Sequence, residues 1–173
     1  SCANYCKNET SSVSGGLTEE QAQKLADYYN GPDVDPSTLV LGRKDNCTSF
    51  SVWFESELTD LTPYSDNGKE VAHGLAVQNN LTEGTEPRPF AVFGITRGIT
   101  MCEDGNLCGH TGIVVAVNGD KIITVEAAYN AHDAWVITDH DRSYFENTKY
   151  GNSFTYMDEH IDKAKLSKIV GSF

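Results

Sequence analysis

Residues 109–126 read Gly109-His110-Thr111-Gly112-Ile113-Val114-Val115-Ala116-Val117-Asn118-Gly119-Asp120-Lys121-Ile122-Ile123-Thr124-Val125-Glu126. Two β-branched runs, Thr111 to Val117 and Lys121 to Val125, flank Asn118-Gly119, a strong hairpin signal. His110 stands at the entrance of the first strand and Glu126 closes the second. The hairpin therefore carries an imidazole and a carboxylate toward the same end. Whether they meet depends on register, because side chains alternate between the faces of a strand. A three-residue loop, Val117-Asn118-Gly119 with Gly119 left-handed, sets Ala116 against Asp120 and His110 against Glu126. The two side chains then share one face, with Cβ atoms about 5 Å apart. A two-residue turn at Asn118-Gly119 sends them to opposite faces. A working pair thus calls for the three-residue loop, although Asn-Gly by itself slightly favours the shorter one.

Working outward, Phe90 to Phe93, Ala134 to Thr138 and Ser153 to Met157 read as further strands. The first half of the chain is helical. Thr18 is a good N-cap, Gln21 completes a capping box, and Gly31-Pro32 ends that helix. From Cys47 to Leu58, the apolar residues Phe50, Trp53, Phe54 and Leu58 recur in three- and four-residue steps, the period of a buried amphipathic helix. A shorter helix is expected over Gly68 to Gln78, and Glu83 to Pro89 reads as a loop. Helices first and antiparallel strands afterwards describe an α+β fold. Residues 1–16 form a polar linker with a cysteine pair, and residues 17–173 form one domain, as expected for 173 residues.

A net charge of −12 speaks against nucleic acid, and equally against anionic lipid, as a partner; its plain consequence is solubility. Hydrophobic content of 39% with 7 Phe, 8 Tyr and 2 Trp fits a globular domain, and a monomer is expected. No apolar run is long enough for membrane insertion. Ser1 opens no signal peptide, so the chain is expected to follow a removed signal or to belong to a longer protein.

Five cysteines make an odd number. Cys2/Cys6 and Cys102/Cys108 are close pairs in polar, turn-rich stretches. Local disulfides are expected, although sequence allows three connectivities for four cysteines. Such bridges belong to an oxidising, extracellular space. The spacings C-x3-C and C-x5-C suit zinc poorly, and no metal or other cofactor is expected. The cluster His132, Asp133, Asp139, His140 and Asp141 reads as loop residues around the Trp135 strand. Cys47 is left alone at a helix start, where a thiolate is favoured if an imidazolium stands beside it. Of the five histidines, His110, flanked by Gly109 and Gly112, is the candidate, with Glu126 to hold its second nitrogen. The alternatives are an inert buried thiol, a core histidine and a solvated strand end. Tyr129 and Trp135 are candidate cleft residues or core aromatics.

Asn46-Cys47-Thr48-Ser49-Phe50, Gly109-His110-Thr111-Gly112-Ile113-Val114 and Ile123-Thr124-Val125-Glu126, in that order, resemble the CHAP family, the cysteine- and histidine-dependent amidohydrolases/peptidases, of the secreted Gram-positive or phage type. The stretch Pro87 to Phe93 is similar to the segment preceding the histidine strand in such domains. The resemblance spans roughly Lys44 to Met157. It implies a papain-like fold and cleavage of amide bonds in peptidoglycan. Cys47 would attack, His110 would carry the proton and Glu126 would orient His110. The Cys47 amide would help to hold the oxyanion, with support from Asn46, where relatives often carry Gln. Many relatives place Asn two residues after the acid; here Ala128 stands there, and Asn130 is the nearest substitute. Asp33-Val34-Asp35 lies too far upstream for the calcium loop of some phage members. No repeat or basic module for wall binding is expected within these residues. Two functions follow: a peptidoglycan endopeptidase or N-acetylmuramoyl-L-alanine amidase, or a catalytically weak CHAP module serving a secretion, conjugation or phage tail assembly.

Overall fold

The computed structural model describes residues 16–98 and 100–173, so the expected Cys2–Cys6 bridge lies outside the described residues. Four helices, α1 (Glu19–Asn30), α2 (Cys47–Leu58), α3 (Gly68–Asn79) and α4 (Lys163–Val170), pack with one six-stranded antiparallel sheet. Its strands are β1 (Glu83–Gly84), β2 (Ala91–Ile95), β3 (His110–Asn118), β4 (Lys121–Ala128), β5 (His132–His140) and β6 (Phe154–Tyr156), in spatial order β1-β6-β2-β3-β4-β5. The class is α+β, as expected. None of the described helices is long and apolar enough to cross a membrane.

Local chemistry sets the helix starts. Thr18 and Gln21 form the reciprocal capping box of α1. Asn46 caps α2, its Oδ1 accepting from the Thr48 N–H at 2.9 Å. Asp162 caps α4, a helix that sequence periodicity did not single out. Phe50, Phe54 and Leu58 of α2 bury completely or nearly so against Leu25, Tyr29, Ile113 and Val125. The opposite sheet face carries Phe93, Ile95, Val114, Ile122 and Phe154, covered by Phe145 of a 3-10 turn at Arg142–Phe145.

Two expectations are corrected. Glu83 and Gly84 are not loop but a two-residue edge strand paired with β6. The hairpin does not take the three-residue loop. Asn118 pairs with Lys121 across Gly119-Asp120, and Gly119 has φ 62°, the two-residue turn with glycine in the first central position. The register continues through Val117/Ile122 and Ala116/Ile123, then shifts by one to Val114/Thr124 and Ile113/Val125. Val115 is the extra residue of a β-bulge, and Val115 and Ala116 both join the core beside the helices. Its carbonyl, lost to the ladder, accepts from the Leu17 N–H at 2.8 Å. The bulge returns His110 to the face of Glu126, as diagonal neighbours rather than direct opposites.

Candidate active site

Cys47 is the first residue of α2 and half-buried, so its sulfur stands among the free amides and positive dipole end of the helix. Helix and hairpin are joined nearby: Ser51 Oγ and Thr111 Oγ1 lie 3.0 Å apart in a fully buried contact. Thr111 faces α2, and His110, its neighbour on the strand, faces the carboxylate.

His110 Nε2 meets Glu126 Oε1 at 2.5 Å. Nδ1 is the nitrogen left to serve the thiol. Glu126 is not a solvated strand end; it lies inside β4 and is 1% exposed. Gly112 makes room for it: a Cβ on residue 112 would stand 2.7 Å from Glu126 Cγ.

Burial pushes the Cys47 thiol up, but the hydrogen bond and charge of His110 outweigh it and hold the thiol below its ordinary value. Burial pulls His110 down, yet Cys47 and Glu126 together push it up to about 10. Burial likewise raises Glu126, and the hydrogen bonds and charges of His110 and His140 bring it down to about 2. All three directions favour a thiolate–imidazolium pair backed by a carboxylate, the state in which a cysteine is nucleophilic near neutrality.

A cleft of about 650 Å³ opens over the sulfur, lined by Asn46, Cys47, Asp66, Cys108, His110 and Tyr129 among others. Asn46 Oδ1 is occupied by the helix cap, which leaves its Nδ2 as the free donor beside the cleft. Tyr129 is where a cleft residue should be, half-exposed with the Arg43 guanidinium 4.3 Å over its ring. Trp135 is not in this cleft. It pairs across from Glu126 and borders a second opening behind the triad. Asn130 does not support the triad either, since its Oδ1 accepts from Arg43 at 2.6 Å. A Cys102–Cys108 disulfide closes the loop at the cleft's edge, the local pairing expected. Among the described residues no group of three His, Cys, Asp or Glu side chains could hold a metal ion.

Three partners of Glu126 escaped the sequence reading. Thr124 Oγ1 donates to Oε2, His140 Nε2 meets Oε2 at 2.5 Å, and the Tyr144 hydroxyl donates to Oε1 at 3.3 Å. Strand alternation places Thr124 beside Glu126, a signal that could have been used. His140 has no such signal, because the β4–β5 register shifts between Thr124 and Ile122, on the way from Glu126 to His140.

A helix-borne thiol, a strand-borne imidazole and a buried carboxylate thus meet at one cleft of an α+β scaffold. The family model for the CHAP domain matches residues 40–128, which include all three side chains, and the chain belongs to that family. Domains of this family are usually cysteine- and histidine-dependent amidohydrolases or peptidases, with a general role on peptidoglycan. No curated protein matches the chain.

Proposed function

We propose that the protein hydrolyses amide bonds of peptidoglycan, as an endopeptidase or an N-acetylmuramoyl-L-alanine amidase, through a Cys47 thioester. The observation that carries this reading is His110, held by Glu126 through Nε2 at 2.5 Å and lining the same cleft as the Cys47 thiol. The thiolate attacks the amide carbonyl carbon, and the carbonyl π electrons pass to oxygen. The Cys47 N–H and Asn46 Nδ2 are the donors nearest that oxyanion. His110 gives its proton to the departing nitrogen as the C–N bond breaks, leaving an acyl thioester and a free amine. Water then attacks the thioester, His110 takes its proton, and the S–C bond breaks to release a carboxylic acid and restore the pair.

The Cys102–Cys108 bridge supports work outside the cytoplasm, at the cell wall. Residues 17–173 act as one catalytic domain. Purified protein incubated with cell walls should release new amines and matching carboxyl-ended muropeptides, read by mass spectrometry. The Cys47→Ala protein should release none; equal release by both would overturn the assignment and leave a binding module.

A further inference from the structure

A triad uses one oxygen of its carboxylate. In this protein the other is also engaged. Glu126 Oε2 meets His140 Nε2 at 2.5 Å, and His140 is itself only 9% exposed. The ring of His140 lies nearly flat on Tyr144, with centroids 3.7 Å apart and planes 22° from parallel, and meets Phe145 edge-on at 5.5 Å. Tyr144 turns its hydroxyl to Glu126 Oε1 at 3.3 Å. Both oxygens of a fully buried carboxylate are thus gripped from β3, from β5 and from the 3-10 turn. A glutamate has three side-chain torsions, and a strand leaves its carboxylate free to swing unless such partners hold it.

We propose that His140 is a positioning residue of the catalytic machinery: its Nε2–H donates to Oε2 and locks the Glu126 carboxylate so that Oε1 stays aimed at His110. The titratable and charged groups around His140 are Glu126 on β4, His110 on β3, Asp139 on its own strand, Asp141 and Tyr144 on the following turn, and Arg97 across the second opening. Arg97 lies with its guanidinium 4.8 Å from the Tyr144 ring centre.

The inference rests on Cys47 being the nucleophile and not on peptidoglycan being the substrate, so its test uses the thiol alone. The rate of iodoacetamide alkylation is followed against pH on the Cys47 peptide by mass spectrometry. His140→Ala should move the midpoint of thiolate formation up by at least about one pH unit, with about tenfold slower alkylation at pH values below the parental midpoint. His140→Gln keeps an amide donor near the Nε2 position without a titrating ring, and should stay within about twofold of the parent. A parental profile in the alanine protein overturns the proposal. So does a glutamine protein as impaired as the alanine one. If His140→Ala fails to fold, the glutamine profile decides alone: retention supports the role, loss overturns it. Cell-wall digestion failing while these shifts appear would count against the proposed substrate only.

Discussion

Gly112 and Glu126 share the same small volume: a Cβ on Gly112 would lie 2.7 Å from Glu126 Cγ and 2.7 Å from the Phe93 ring. The carboxylate reaches diagonally to His110 because residue 112 has no side chain. Gly112→Ala should force Glu126 or Phe93 to shift, costing about 1–3 kcal/mol as an overpacked core position. The more telling effect is on the thiol, whose alkylation at neutral pH should slow as Glu126 leaves His110. A folded Gly112→Ala protein with parental thiol reactivity and melting temperature would refute this steric account.

The paired shifts of Cys47 and His110 divide two activities by pH. Burial pushes the Cys47 thiol up, but His110 holds it below its ordinary value, so the thiolate forms at lower pH than in a free cysteine. His110, pushed up to about 10, holds until then the proton that the departing amine needs. Amide hydrolysis should therefore reach its plateau at lower pH than an ordinary thiol would allow and fall as pH passes about 10. Alkylation of Cys47 needs only the thiolate and should not fall there. Parallel loss of both, or hydrolysis rising steeply between pH 8 and about 9 as for an ordinary thiol, contradicts the ion pair.

Glu55, two turns beyond Cys47 on α2, is buried with Oε1 accepting only from the Tyr64 N–H and Oε2 without a partner among the described residues. Burial pushes it up to about 8. Its unfolded value is the ordinary one, 4.5, so between these pH values the native state holds a proton that the unfolded chain releases. Native stability from this group is greatest below pH 4.5 and declines until about pH 8, by about 1.4 kcal/mol per pH unit. Glu55→Gln removes the slope. Melting temperatures of the two proteins should diverge from pH 5 to about pH 8, with the glutamine protein ahead at the upper end; superimposable curves would show that Glu55 does not titrate in this way.

The Cys102–Cys108 loop is tied to α3 twice. The Lys69 N–H donates to the Cys108 carbonyl at 3.0 Å, and the buried Lys69 ammonium reaches Asp104 at 2.9 Å. Cys108 lines the cleft. Opening the bridge by Cys102→Ser with Cys108→Ser should cost about 2 kcal/mol, the chain-entropy value for so short a loop. KM should rise more than kcat falls, because the loop borders the cleft and no triad residue sits on it. A drop confined to kcat would mean that the loop instead supports His110 through Gly109.

Three of the four helices, α1 to α3, were legible because their signals are local. Thr18 with Gln21, and Asn46 before Cys47, satisfy free amides within one turn of themselves, and the Phe50 to Leu58 period needs no knowledge of the partner it packs against. The identities of Cys47, His110 and Glu126 were legible for a related reason: each stands where an apolar element begins or runs out of apolar residues. Trp135 and Asn130 misled because short separation along the chain does not say which side of β5 or of its turn a side chain takes.

Sequence alone determined which residues could react and that a hairpin joined two of them. It also held the Asn118-Gly119 hairpin signal, although the two-residue turn falls one position later, at Gly119-Asp120. Only the tertiary structure decided that such a turn is compatible with a working pair. The bulge at Val115 depends on a carbonyl partner, Leu17, 98 positions earlier in the chain, and the second grip on Glu126 depends on His140 arriving through an irregular β4–β5 ladder. Register is a long-range property: it is set by which distant groups satisfy the backbone and fill the space beside it.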